Sequence, residues 1–187
     1  MSALPTPTPV SVQDYLDREA ASAEKHEYLG GAVHAMSGGS IRHGDVSGRA
    51  FGSLFGRLRG KPCRPCNSDI KIRVQSPTQT RFYYPDTSVV CEGNPGDLHY
   101  EERPVVIVEV LSPSTRRIDE AEKRDAYLTI PSLRVYLRVE PDAPLVVADR
   151  RSDLGGGFNA EVHQGLDAVI PLPEIDTELP LRELYEG

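Results

Sequence analysis

Apolar positions come first. Val12, Tyr15 and Leu16 share one stripe of a helix that opens at Ser11, with Asp14 three residues on as a variant of the capping box. Residues 27–36 read as a hairpin turning at Gly30-Gly31. A second helix is predicted over 40–58, because Phe51, Leu54, Phe55 and Leu58 recur at helical spacing. Its glycines, Gly44, Gly48, Gly52 and Gly56, weaken the helix but would let another element approach closely. Ile70, Ile72 and Val74 alternate with Lys71, Arg73 and Gln75, the pattern of a half-buried strand. Residues 83–90 lead into another strand. Pro104 opens VVIVEVL, a nearly continuous apolar run that suits a strand covered on both faces. A helix is predicted over 116–128, stopped before Pro131. Residues 133–139 and 145–149 form a hairpin around Pro141-Asp142-Ala143-Pro144. A Gly155-Gly156-Gly157 loop and two short strands finish the sheet, and 181–185 make a last helical turn. The order α-ββ-α-βββ-α-ββ predicts one mixed-sheet domain of α/β or α+β class over 11–187, behind a loose Pro/Thr tail at 1–10.

Composition narrows the class. The chain has 187 residues, 39% of them hydrophobic, enough for one core and too many for a wholly disordered chain. No apolar run approaches the ~18 residues that span a bilayer, and MSALPTPTPVSV lacks the basic and apolar regions of a secretory signal. A cytoplasmic protein with no membrane partner is expected. Three cysteines cannot build a disulfide framework. Cys63-Arg-Pro-Cys66 has the spacing of half a zinc site or a redox pair, but no second ligand pair follows and the next residues alternate like a strand. Two reduced thiols near a strand start are expected.

The net charge of −7 has the wrong sign for a generic nucleic-acid binder. Its distribution changes the picture. Arg42, Arg49, Arg57, Arg59, Lys61, Arg64, Lys71 and Arg73 lie between 41 and 73 against Asp45 and Asp69, while after Val139 eleven acids face three arginines. A basic face on an acidic body suits a polyanionic ligand, and equally a solvated helix face.

Candidate chemistry starts at Glu109, a carboxylate inside an apolar strand. Such a group is costly to bury unless it is paired or binds a metal, so it either faces an Arg, lies near an exposed strand end, or serves a site. Asp86 follows Pro85 at the entry to a strand, a position that can also be a plain turn. Lys123 shares a helical face with Asp119 and Tyr127, where a surface ion pair with Asp119 is the alternative. Two carboxylates on successive strands could hold a hard cation, with water in the remaining positions. A nearby Lys could orient or deprotonate the attacking water.

The segments YYPDTSVVCE and RPVVIVEVLSPSTRRIDEAEKRDAYLTIPSLRVYLRVEP are similar to the Uma2 (DUF820) family of restriction-endonuclease-like proteins, within the PD-(D/E)XK nuclease superfamily. EKHEYLGGAVHAMSGGSIRHGDVSG resembles that family's N-terminal segment, and SDIKIRV the strand before its Pro-Asp. The likeness covers residues 11–185. It implies a restriction-endonuclease-like fold, a mixed central β-sheet flanked by helices. It also implies a metal-dependent endonuclease acting on nucleic acid, with DNA the foremost substrate. Asp86 and Glu109 would ligate Mg²⁺ or Mn²⁺, joined by the Val110 carbonyl. The superfamily's usual Lys, two positions past the acid, is Leu111 here, and Lys123 on the following helix would take its place. Glu27 matches a further acid in the first hairpin. His43, at a helix start, would touch phosphate or simply cap. Tyr127 would pack and position the face that carries Lys123. Arg57, Arg59 and Lys71 would line the substrate path, with Arg116 and Arg117 near the site. Cutting both strands would favour a homodimer. The rival readings are a non-catalytic module binding nucleic acid or protein on the same fold, which Leu111 and the acidic total favour, and a metal-dependent hydrolase acting on another substrate.

Overall fold

The computed structural model describes residues 8–36, 38–112, 118–153 and 156–186, with the backbone alone at 118–120. Helix α1 (Val12–Ala21) starts where the Ser11 hydroxyl accepts the Asp14 amide at 3.1 Å. Strands β1 (His26–Leu29) and β2 (Ala32–Ala35) form the expected hairpin. Gly30 and Gly31 both hold positive φ, 57° and 111°, which a tight turn of this hand requires. Helix α2 (Ile41–Leu58) is capped by Ser40. Strands β3 (Arg64–Asn67), β4 (Lys71–Gln75), β5 (Thr80–Tyr83), β6 (Thr87–Val90), β7 (Tyr100–Glu101) and β8 (Pro104–Val110) follow. A wide π-type turn (Ile118–Lys123) runs directly into α3 (Arg124–Leu128). Strands β9 (Val135–Val139), β10 (Leu145–Arg151), β11 (Phe158–Gln164), β12 (Val169–Leu172) and β13 (Thr177–Pro180) precede α4 (Leu181–Tyr185).

These strands make a five-stranded sheet, β2-β1-β5-β4-β7, a six-stranded sheet, β11-β10-β9-β8-β6-β3, and the β12-β13 pair. The six-stranded sheet is mixed: β8 and β9 run parallel, and its other neighbours antiparallel. The fold is therefore mixed α+β. Because side chains alternate along a strand, the parallel register of β8 and β9 sorts the residues by face. Val106, Val108 and Val110 lie level with Val135, Leu137 and Val139, and they pack with Val46, Ala50, Leu54 and Leu58 of α2 and with Leu179, Leu181 and Leu184. On the other face, Ile107 and Tyr136 join Tyr127 and Ala126 of α3 and Ile72, Val74 and Tyr83 of the five-stranded sheet. A third cluster, Tyr15, Tyr28 and Phe82, seats α1. The near-continuous apolar run of β8 thus reflects a strand covered on both sides.

Several expectations change. The tail docks before residue 11: the Val10 amide donates to Gly31 O and the Tyr28 hydroxyl to Val10 O, both at 2.9 Å. Residues 1–7 lie outside the described residues. A Cβ added at Gly44, Gly48, Gly52 or Gly56 would meet no described atom within 4 Å, so these glycines do not serve a close approach within this chain. Instead of one sheet, the described residues form a five-stranded sheet, a six-stranded sheet and the β12-β13 pair, and residues 64–67, 80–83 and 100–101 are also strands. The Cys63-Arg-Pro-Cys66 pair does not stay reduced: Cys63 is disulfide-bonded to Cys91, and Cys66 alone is a buried free thiol. The cause is register. Arg64 pairs with Val90 across antiparallel β3 and β6, so Cys63, one residue earlier, comes level with Cys91. Pro65 is tolerated because β3 is an edge strand.

Candidate active site

Two strand ends and one helix junction meet beside β8. Thr87 pairs with Val108, so Asp86, one residue before β6, comes level with Glu109. Asp86 Oδ2 accepts the Val110 amide at 2.8 Å and lies 3.3 Å from His43 Nε2 at the start of α2. Pro85 just before it and this amide bond together fix the carboxylate at the strand's mouth.

Glu109 is 5% exposed. Its Oε1 accepts the Tyr127 hydroxyl at 3.0 Å and lies 3.9 Å from Lys123 Nζ. Lys123 is also buried, and its ammonium sits 2.8 Å from Glu27 Oε1 on β1 and over the Tyr83 ring at 5.7 Å. The chain thus compensates buried Glu109 and half-buried Glu27 with one buried ammonium and a phenol, which is what makes the burial tolerable. Burial first, and the Glu109 charge second, push the Tyr127 hydroxyl well above its ordinary range. It therefore stays protonated and works as a donor to Glu109. Tyr127 packs between the Tyr83 and Tyr136 rings, and its hydroxyl holds the Glu109 carboxylate.

Beside Asp86 opens a cleft of about 480 Å³, lined by Lys25, His43, Ser47, Ser68 and Tyr84 among others. Lys25 bonds Asp69 at 2.6 Å, and this contact holds the Asp69 carboxyl below its usual range. Neither Lys25 nor Tyr84 stood out in the sequence. The Tyr84 hydroxyl donates to Glu19 Oε1 at 2.8 Å, and both Lys25 and Lys71 lie over its ring.

Of the expected site residues, Glu27, Asp86, Glu109, Val110, Lys123 and His43 come together. Lys71, on β4, is buried and donates at 3.3 Å to the hydroxyl of Tyr84, the residue two before Asp86. Arg57 and Arg59 are not there: fourteen residues along α2 from His43, Arg57 is about 21 Å away along the axis. Arg57 pairs with Glu183 and Glu178, and Lys61 with Asp176, while Arg59 stacks on Phe55. Two members of the basic stretch, Arg57 and Lys61, are thus drawn onto the chain's own acidic C-terminal part, while Arg64 and Arg73 pair with Glu101 and Glu102. Arg116 and Arg117 lie outside the described residues.

A hard divalent cation fits the donor set in kind. Asp86, Glu109 and the Val110 carbonyl offer oxygen alone, and a buried carboxylate in an apolar strand favours a positive partner. Among the described residues no three His, Cys, Asp or Glu side chains converge on one point, so water would complete the coordination.

Comparison with known proteins places this arrangement. A family model described as "Uma2: Putative restriction endonuclease" matches residues 12–182. A Synechocystis protein, "Uncharacterized protein slr1290", is 36% identical over 149 residues, 78% of this chain and 76% of that one. A second from the same organism, "Uncharacterized protein sll1609", is 26% identical over 134 residues, 70% of this chain and 75% of its own length. A crystal structure of "a putative nuclease belonging to DUF820" from Anabaena variabilis shares the fold with a TM-score of 0.68 at 17% identity, covering 91% of this chain and 96% of that one. With a family model matching from α1 to α4 and a relative 36% identical over 149 residues, the chain belongs to the Uma2 family.

Proposed function

We propose that the chain is a metal-dependent endonuclease that hydrolyses phosphodiester bonds of nucleic acid, with DNA as the substrate. The observation that carries this reading is the buried ammonium of Lys123 held between Glu27 and Glu109, beside an Asp86 fixed by the Val110 amide at the mouth of a cleft. The family's description as a restriction endonuclease supports the same chemistry. A Mg²⁺ or Mn²⁺ held by Asp86, Glu109 and the Val110 carbonyl would supply Lewis-acid stabilisation of charge on a phosphoryl oxygen. The protein's own part is positional. Lys123 holds the attacking water and offsets charge as it grows on phosphorus-bound oxygens. Tyr127 keeps Glu109 in one rotamer. His43, against Asp86 at the cleft wall, meets the substrate backbone.

The test is cleavage of plasmid and of single-stranded oligonucleotides, DNA and RNA, across divalent ions. Asp86→Ala and Glu109→Ala should each abolish metal-dependent cleavage. Lys123→Ala should lose roughly 10²–10⁴ in rate. The wild type should also gain thermal stability with Mn²⁺, and Glu109→Ala should not. A wild type that binds nucleic acid without cutting it under any ion would give the place to the binding-module reading, which Leu111 favours.

A further inference from the structure

We propose that Asp149 is a positioning residue for Lys123, acting through Arg124; the inference rests on the role given to Lys123 above. Asp149 ends the apolar run of β10 and is fully buried. Both its oxygens are engaged. Arg124 Nη2 donates to Oδ1 at 2.8 Å and Nε to Oδ2 at 3.1 Å, the two-pronged grip of a guanidinium on a carboxylate. Arg138 Nη2 adds a third bond to Oδ2 at 3.0 Å.

The place of these residues gives the grip its meaning. Arg124 follows Lys123 directly, and the two straddle the junction between the π-type turn and α3. A π-type turn takes more residues per turn than an α-helix, so ordinary helical spacing does not fix the direction of a side chain at its end. The fork of Arg124 on Asp149 does. Side chains reach about 5–6 Å from a helix axis, so rotating this junction by about 30° would swing the lysine tip by about 3 Å. That exceeds the 2.8 Å separation between Lys123 Nζ and Glu27 Oε1.

Asp149 has a second effect on the same face. Asp149 pairs with Tyr136, Tyr136 lies level with Ile107, and Arg138 lies level with Glu109. Arg138 is therefore the in-register neighbour of Glu109 on the adjoining strand. Asp149 gives that guanidinium a counterion of its own, so that it does not compete with Lys123 for Glu109. One buried acid places the wanted cation and occupies the competing one.

The experiment reads the lysines by mass spectrometry after brief acetylation of the whole protein. Lys71, buried on the other sheet, is the internal control. In a folded Asp149→Asn variant, Lys123 should acetylate about tenfold faster, the size that coupling between contacting groups gives, with Lys71 unchanged. Arg124→Gln should do the same, and the double variant should add nothing beyond either. Arg124→Lys keeps the charge and loses the fork, and should behave like Arg124→Gln. These Arg124 variants carry the test if Asp149→Asn does not fold. Unchanged Lys123 labelling in folded variants would overturn the proposal. So would Lys71 and Lys123 rising together, since that reports general loosening. Labelling does not depend on cleavage. If the wild type cuts no nucleic acid, the nuclease reading fails while this one is still decided. If it cuts, Asp149→Asn should lower kcat and leave KM within twofold.

Discussion

At the scale of single residues, two buried lysines carry opposite lessons. Lys123 is compensated by Glu27 and Glu109. Among the described residues Lys71 meets the neutral Tyr84 hydroxyl at close range, and burial draws its pKa below the ordinary lysine value, against a smaller opposing pull from Glu19. A lysine with a lowered folded pKa takes up a proton on unfolding, in the window between its folded pKa and the unfolded value near 10.4. Stability therefore rises with pH through that window, and below it the cost of the buried charge is constant. Lys71→Met should raise the melting temperature at pH 7, and the gain should shrink as pH approaches about 10.4. Thermal melts from pH 6 to 11 check this. A variant that melts lower at pH 7 would mean the Tyr84 contact outweighs the burial cost. Glu109 was legible in the sequence because a charge interrupts an apolar run. Asp149 carries the same signature at the end of LVVAD and was overlooked, since a run that ends on an acid also reads as a strand reaching solvent.

Among the elements, the long periodic ones were legible and the short ones were not. Helix α2 repeats its apolar residues at helical spacing over 18 residues, and β8 is a short β-branched run opened by a proline. Strand β3, RPCN, has a proline and no alternation, and only its partner β6 makes it a strand. The missed strand hid the disulfide, because the proximity of Cys63 and Cys91 is a property of the pair. The α2 glycines were legible as a pattern, but what they face is tertiary information. With open space around them, Gly48→Ala should add roughly 0.5–1 kcal/mol by removing glycine's unfolded-state freedom, measured by urea unfolding. No gain, or a loss, would show that the helix needs that position bare. The Cys63–Cys91 bond closes a loop with a sequence separation of 28. Its reduction, or the Cys63→Ser/Cys91→Ser pair, should cost about 2–4 kcal/mol. A protein that melts identically with and without reductant would contradict this.

Across the whole molecule, part of the basic middle is fastened to the acidic end. Ser53 and Arg57 on α2 both reach Glu183 on α4, which closes β13 and α4 over the larger core. Hydrogen bonds from Arg57, then Ser53, hold the Glu183 carboxyl below its usual range. A depressed folded pKa gives stability above the unfolded value near 4.3, and that stability is lost as pH falls through the folded one. Urea midpoints should therefore separate wild type from Glu183→Gln at pH 6, and the gap should close as pH falls below the unfolded value and through the folded one. Because the pair is partly exposed, 0.5 M salt should narrow the gap at pH 6. Equal midpoints at pH 6 in low salt would show that this contact does not fasten the C-terminal part.

The six-stranded sheet packs valines and leucines against α2 on one face, and on the other carries Glu109, Arg138 and Asp149 beside Ile107 and Tyr136. The α2 face supplies cohesion that does not depend on any ionised group. The charged groups of the opposite face lean on one another, with Asp149 holding both Arg124 and Arg138. Such a sheet separates two kinds of failure. A substitution against α2 loosens the scaffold whatever the solvent, whereas one among the charged groups shifts a network whose members depend on each other.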